Sequence, residues 1–355
     1  MMEEARGNLL VADTEALVNT VNCVGYMGKG IALQFKQAFP ENFKVYARAC
    51  DREEVQPGRM LVFETGLMRN PKFIINFPTK RHWRGKSKIE DLEAGLEALV
   101  KEVKLRSIRS IALPPLGCGH GGLDWRVVAP MIRQAFEAVP DVRVLLYAPA
   151  GAPAAEAMPV RTKRPTMTVA RALFVRIMDQ YLVLAYRMTL LEIHKLAYFL
   201  QEAGEPLRLN YEGGHYGPYA QNLNKVLERI EGHFTRGYGD SQTPDVEIRI
   251  LEGAVDEASA FLADHRESLQ RLEFVARLIE GFETPYGMEL LSSVHWVTAH
   301  GDAPARTLEE AIEAVHSWNP RKKRMFRREH LKIAWARLDG EGWLRSVSKT
   351  ACSSD

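Results

Sequence analysis

Two glycine-rich segments, each placed directly after an apolar run short enough for one strand, constrain this chain more than any other feature. The first is Ala16-Leu-Val-Asn-Thr-Val-Asn22 followed by Gly25-Tyr-Met-Gly28-Lys29-Gly30. The second is Ser110-Ile-Ala-Leu-Pro-Pro-Leu116 followed by Gly117-Cys118-Gly119-His120-Gly121-Gly122. Glycine has no Cβ, so such a backbone takes positive φ and comes close to a ligand. Its N–H groups, with those of the helix that follows, form a concave donor array suited to a diphosphate.

The surrounding elements repeat that order. Residues 31–39 read as a helix with Ile31, Phe35 and Phe39 on one face, stopped by Pro40, and a short helix is expected over 41–50. Strands are expected over 59–65 and 72–77, with Lys80 following the second. A basic loop through Trp83 and Lys86 then leads to Ser87, an expected helix N-cap with Glu90 three residues on. Ile89, Leu92, Leu96, Leu99 and Val103 share the next helical face. A helix over 124–139 and a strand over 142–147 complete the pattern. Alternating strands and helices predict a mostly parallel sheet between helices, with ligands beyond the carboxyl ends of the strands. Both glycine loops and Lys80 fall there.

At 355 residues the chain fits two domains. Residues 151–168, rich in Pro and Ala, read as a linker between a domain over 1–150 and a mainly α-helical domain over 169–345. Helices are expected around Leu190 to Leu200 and Leu223 to Ile230, and near 254–280, 287–300, 306–317 and 325–338. A net charge of +2 leaves any nucleic-acid contact to local patches. Cys23, Cys50, Cys118 and Cys352 form no C-x-x-C pair and no zinc spacing, so reduced thiols in a cytoplasm are expected, with no metal and no cofactor. The acidic start Met-Met-Glu-Glu is unlike a secretory signal, and no apolar run is long enough to span a membrane.

Two common readings of the glycine loops fit less well. Gly117, Gly119 and Gly122 fit G-x-G-x-x-G, but a dinucleotide fold wants an acid ending the next strand, and Asp141 precedes that strand instead. Gly25 to Gly30 lacks the Lys-Ser/Thr ending of a Walker A loop.

Read together, Asn8-Leu-Leu, Ala16 to Asn22, Gly28-Lys-Gly30 and Pro114-Pro-Leu-Gly-Cys-Gly119 resemble the macrodomain, an ADP-ribose-binding fold, over roughly residues 5–150. Lys80 matches the branch of macrodomain glycohydrolases that use a lysine. A macrodomain of this kind before a long helical region is similar to antitoxins that remove ADP-ribose from DNA bases modified by a partner toxin. The resemblance implies that the protein is a hydrolase acting on ADP-ribosylated single-stranded DNA, with thymine as the base. It further implies that Asn22 holds hydroxyls of the distal ribose, that Gly28, Lys29 and Gly30 pass close to that ribose, and that Gly117, Cys118, Gly119, His120, Gly121 and Gly122 wrap the diphosphate. Asn8 stands where many macrodomains carry an Asp for the adenine amino group. Lys80 is the expected catalytic group, kept partly neutral by burial or by Arg81, Arg84 and Lys86. The lysine-using relatives that act on protein esters carry an aspartate shortly after Gly-Cys-Gly. Here the matching stretch reads His120-Gly121 and Asp124 comes later, so His120 is the substitute acid or base, or else a loop histidine that packs on phosphate. A non-catalytic ADP-ribose reader and a hydrolase of ADP-ribosyl-protein or O-acetyl-ADP-ribose stand as alternatives.

Other residues admit two readings each. Cys118 is a small loop residue, since no second group at a fixed spacing activates it. Trp83 and Trp125 either stack on a flipped base or pack on the core. Arg321-Lys-Lys-Arg324 with Arg327-Arg328 either meets DNA phosphates or forms a solvated helix face. The segment His194-Lys195-Leu-Ala-Tyr198 with Tyr216-Gly-Pro-Tyr219 resembles small helical domains found on antitoxins, which implies binding of the cognate ADP-ribosyltransferase toxin through the C-terminal domain.

Overall fold

A computed structural model describes residues 1–149, 158–185, 187–239, 244–300 and 303–344. Residue 150, residues 151–157 of the expected linker, residue 345 and Cys352 lie outside the described residues. Two compact units emerge, one built on Met1–Arg164 and one beginning at Pro165.

The first unit runs β1 (Met2–Ala5), β2 (Ala16–Asn22), α1 (Gly30–Ala38), α2 (Pro40–Asp51), β3 (Leu61–Glu64), β4 (Phe73–Lys80), α3 (Ile89–Leu105), β5 (Ser110–Leu113), α4 (Trp125–Phe136) and β6 (Arg143–Tyr147). The strands form one sheet in the order β1-β6-β5-β2-β4-β3, parallel throughout except where β3 meets β4. Strand side chains alternate between the two faces. Ala16, Val18, Ile75, Phe77, Ile111 and Leu113 therefore pack against Leu92, Leu96, Val128 and Ile132 of α3 and α4. Leu17, Ile74 and Ala112 face the opposite way, onto Phe35 and Ala38 of α1. This is the expected mixed, mostly parallel sheet between helices.

Polar pins cross this core. Asn19 on β2 and Asn42 on α2 both donate to the Asn76 side-chain oxygen on β4, at 3.0 and 3.2 Å, and Asn76 returns a bond to Asn42 at 2.7 Å. A buried amide left without its partner costs about 1–3 kcal/mol, so the trio fixes how α2 seats on the sheet.

Four local expectations need correction. Strand β4 reaches Lys80 itself, which pairs with Asn22 after a register shift that leaves Thr79 as an extra residue on β4. Ser87 does not cap α3; Lys88 occupies that position, and the Ser87 N–H instead donates to the Gly121 carbonyl at 3.0 Å. A tertiary contact has displaced the local cap. Strand β1 was not anticipated, because Met2–Ala5 is short and half polar and is specified by its partner β6 far along the chain. The segment 254–280 breaks into two helices, given below.

Residues beyond the expected linker start also pack: Met158 is buried in the α1-side core, and the Arg161 N–H donates to the Gln37 carbonyl at 2.8 Å. The second unit is mainly helical, as expected. It comprises α5 (Val169–Leu184), α6 (Leu190–Glu202), the hairpin β7 (Tyr211–Gly214) and β8 (Gly217–Ala220), α7 (Leu223–Ile230), and the two-residue strands β9 (Thr235–Arg236) and β10 (Arg249–Ile250). It continues with α8 (Ala254–Leu262), α9 (Arg266–Ile279), α10 (Pro285–Ala299), α11 (Leu308–Trp318), α12 (Pro320–Met325) and α13 (Arg328–Gly340). The basic run is not one solvated face. Lys322 is fully buried, donating to Glu289 at 2.8 Å and Ser293 at 2.9 Å, while Arg321 grips the same carboxylate. No helix among the described residues is long and apolar enough to cross a membrane.

Candidate active site

At the carboxyl ends of β2 and β4 the first unit opens a cavity of about 420 Å³, within the range of small-ligand sites. Its wall brings together Asn8, Asn22, Gly28, Lys29, Gly30, Lys80, Gly117, Gly119, His120 and Gly121. Of the residues expected at the site, Cys118 and Gly122 are in the same loop but do not face the cavity. Arg6, Lys29 and Lys80 line it, and among its lining residues there is no carboxylate.

The second glycine loop is shaped by what a Cβ would strike. At Gly121 it would stand 2.2 Å from the Gly117 carbonyl oxygen and 2.3 Å from Ser87 Oγ, so only glycine closes this turn. Gly119 differs: nothing lies within 4 Å of its would-be Cβ, and its surface is open to the cavity. In the first loop, the Tyr26 ring folds over Gly28, where a Cβ would come within 2.4 Å of the ring.

Asn22 braces this first loop. Its side-chain oxygen accepts from the Val24 N–H at 3.0 Å and the Tyr46 hydroxyl at 3.1 Å, and its amide nitrogen donates to the Tyr26 carbonyl. Asn8 caps the 3-10 turn Leu9–Val11, accepting from the Leu10 N–H at 3.0 Å.

Lys80 projects from the end of β4 and donates through Nζ to the His120 carbonyl at 2.6 Å, joining strand and phosphate loop. Its ammonium is held below the ordinary lysine range, first by partial burial and then by the charges of Lys86 and Lys29. Arg81 and Arg84 do not share that task as expected. Arg81 is paired with Asp91 at 2.8 Å, and Arg84 lies over the Trp83 ring at 4.5 Å. Partial burial and the neighbouring Lys29, Lys80 and Lys86 also depress the His120 imidazole, which is therefore neutral at pH 7. The Cys118 thiol is pushed up to about 11 by burial and then by Asp124, consistent with a small loop residue. Asp124 caps α4, donor bonds from Arg126 fix it, and it does not line the cavity.

The two tryptophans separate. Trp125 packs against the α3–α4 core and is absent from the cavity wall, whereas Trp83 lines it with its ring 5.6 Å from that of Tyr26. Tyr26 is the residue sequence reasoning passed over; an aromatic inside a glycine-rich loop was the available signal. Among the described residues no cluster of His, Cys, Asp or Glu is placed to hold a metal.

Residues 18–132 match the Macro domain family, which sets the class of the first unit. Over nearly its whole length the chain is 47% identical to the DNA ADP-ribosyl glycohydrolase of Thermus aquaticus, covering 97% of this chain and 95% of that protein. It is 42% identical to the protein of the same name from Mycobacterium tuberculosis, across 95% of this chain and 99% of the relative. A DNA ADP-ribosyl transferase-DNA ADP-ribosyl glycohydrolase fusion protein of Thermosipho africanus is 33% identical over 40% of each chain. The chain belongs to the DNA ADP-ribosyl glycohydrolase family.

Proposed function

We propose that this protein hydrolyses the N-glycosidic bond between ADP-ribose and a base of single-stranded DNA, with thymine as the base, and so reverses the work of a cognate ADP-ribosyltransferase toxin. The observation that carries this reading is the placement of Lys80: a half-buried amine of lowered basicity between two glycine loops, in a cavity lined by cations and no carboxylate. Such a wall is complementary to a diphosphate. The Gly117 to Gly122 loop cradles that diphosphate, Gly28 to Gly30 border the distal ribose beside Asn22, and Asn8 borders the adenine end.

In the reaction the neutral Lys80 amine attacks the anomeric carbon. The electron pair of the breaking C–N bond goes to the base, which takes up the proton that the new ammonium releases. Water then displaces the amine: His120 takes a proton from the water and delivers one to the departing Lys80 nitrogen, so that neutral lysine, neutral histidine and free ADP-ribose result. Fixing the ribose and diphosphate supplies much of the rate by orientation.

We assign the second unit to binding of the toxin; the Thermosipho relative, whose name joins transferase and glycohydrolase in one chain, supports the pairing of the two activities. Free thiols at Cys23, Cys50 and Cys118 support action in the cytoplasm.

An ADP-ribosylated single-stranded oligonucleotide tests the reaction. Wild-type protein is expected to release ADP-ribose, and Lys80→Ala to cut that release by about 100-fold or more while free ADP-ribose binds within a few fold. Tight binding without release would make the protein a reader, and faster release from modified protein would replace the substrate. Lys80→Ala is also expected to retain inhibition of the transferase; loss of inhibition in this variant would sink the toxin-binding assignment.

A further inference from the structure

The reaction needs somewhere for the leaving base to sit, and the glycines of the two loops do not supply it. Beside Lys80 the cavity wall carries two aromatic rings, Tyr26 and Trp83, tilted at 44° with centroids 5.6 Å apart. Both are partly exposed. They come from different loops, Tyr26 from the loop after β2 and Trp83 from the loop three residues beyond the end of β4. Tyr26 is held by its packing over Gly28. Besides Tyr26, Trp83 meets exposed residues of its own loop: His82 stacks on it at 5.4 Å and the Arg84 guanidinium lies 4.5 Å above it. An entering base therefore exchanges one stacking contact for another and opens no packed core.

We propose that Trp83, with Tyr26, forms the nucleobase subsite, so that these two rings decide for a DNA base over an amino-acid side chain as leaving group. The inference rests on the proposed reaction at Lys80. Stacking on an aromatic face is indifferent to base identity and strong enough to orient an unpaired base. A single-stranded substrate presents its base without the cost of opening a duplex. An aspartyl or glutamyl chain has no π face to offer, so the same rings give it no grip. Trp125, the other tryptophan near the phosphate loop, has no part in this, because it packs into the core.

Affinity measurements in the Lys80→Ala background, where turnover is blocked, separate the subsite from the rest of the pocket. The ligands are free ADP-ribose and an ADP-ribosylated single-stranded oligonucleotide. Adding Trp83→Ala is expected to weaken the oligonucleotide by about tenfold or more, the scale of one lost base–aromatic stack, and to leave ADP-ribose within twofold. Trp83→Phe should restore most of the loss, and Trp83→Leu, which keeps apolar bulk without a ring, should not. Equal weakening of both ligands, or rescue by leucine, would make Trp83 a mere wall of the ADP-ribose pocket and overturn the proposal. Failure of the wild-type protein to release ADP-ribose from the oligonucleotide would instead defeat the reading of the reaction. Release by the wild type with undiminished oligonucleotide binding by all three Trp83 variants would defeat the subsite alone.

Discussion

Lys80 in the first unit and Lys322 in the second are both withdrawn from water, and their partners differ in kind. Lys322 is fully buried, its charge met by Glu289 at 2.8 Å, with Ser293 as a second acceptor and the Trp318 ring 4.9 Å from its Nζ. Arg321 adds two bonds to the same carboxylate, at 2.6 and 3.0 Å. Nearby Lys195, equally buried, donates to the Pro218 carbonyl at 2.6 Å; burial and then Lys322 bring it down to about 7. Lys80 has a carbonyl and no carboxylate, other cations for neighbours, and an open cavity in front of it. A sealed lysine with a carboxylate holds a fold together. A half-sealed one without a carboxylate can offer a ligand its charge when protonated or its lone pair when not.

The largest test of this contrast removes the carboxylate. Glu289→Gln leaves Lys322 buried without its counter-charge, and is expected to lower the stability of the second unit by about 3–5 kcal/mol. Thermal unfolding measures it, with ADP-ribose affinity as the check that the first unit is intact. A loss under about 1 kcal/mol would mean that the pair contributes no more than a surface bridge.

Next in size is a negative charge placed in the first unit's cavity, whose wall has none. Gly119→Glu brings a carboxylate to the diphosphate cradle and is expected to weaken ADP-ribose by about 100-fold or more through like-charge contact. Because nothing lies within 4 Å of a Cβ there, the variant should fold normally and Gly119→Ala should bind within a few fold of wild type. Calorimetric titration decides; retained affinity in Gly119→Glu would take the diphosphate out of this loop.

Much of the first unit was legible because strands and glycine loops are local signals. Short, continuous apolar runs pointed to β2, β4 and β5, and loops of unusual glycine density pointed to the cavity wall. What failed was decided by distant partners. Ser87 looks like an N-cap from its own neighbourhood, yet its N–H is taken by Gly121, 34 residues on, and this contact ties the basic loop to the phosphate loop. The run Arg321 to Arg324 looks solvated because the sequence cannot say that Glu289 lies against Lys322. Lys29 was legible as a loop residue but not as a charge acting on Lys80, since only the fold brings the β2 loop to face the end of β4.

That last point yields the smallest effect and the sharpest use of the contrast. If Lys80 works as a neutral amine, release rises with pH as its ammonium deprotonates. Lys86→Met removes a positive charge that favours deprotonation, so the Lys80 pKa moves back up and the rise in kcat/KM shifts to higher pH. Burial, the larger cause, and the charge of Lys29 stay in place, so only part of the displacement is undone. Lys86→Arg keeps the charge and should leave the profile in place, which separates electrostatics from any contact of this side chain with Gly122. A profile unmoved by Lys86→Met would show that proton loss from Lys80 does not limit the reaction, and that its carboxylate-free setting serves ligand charge instead of amine chemistry.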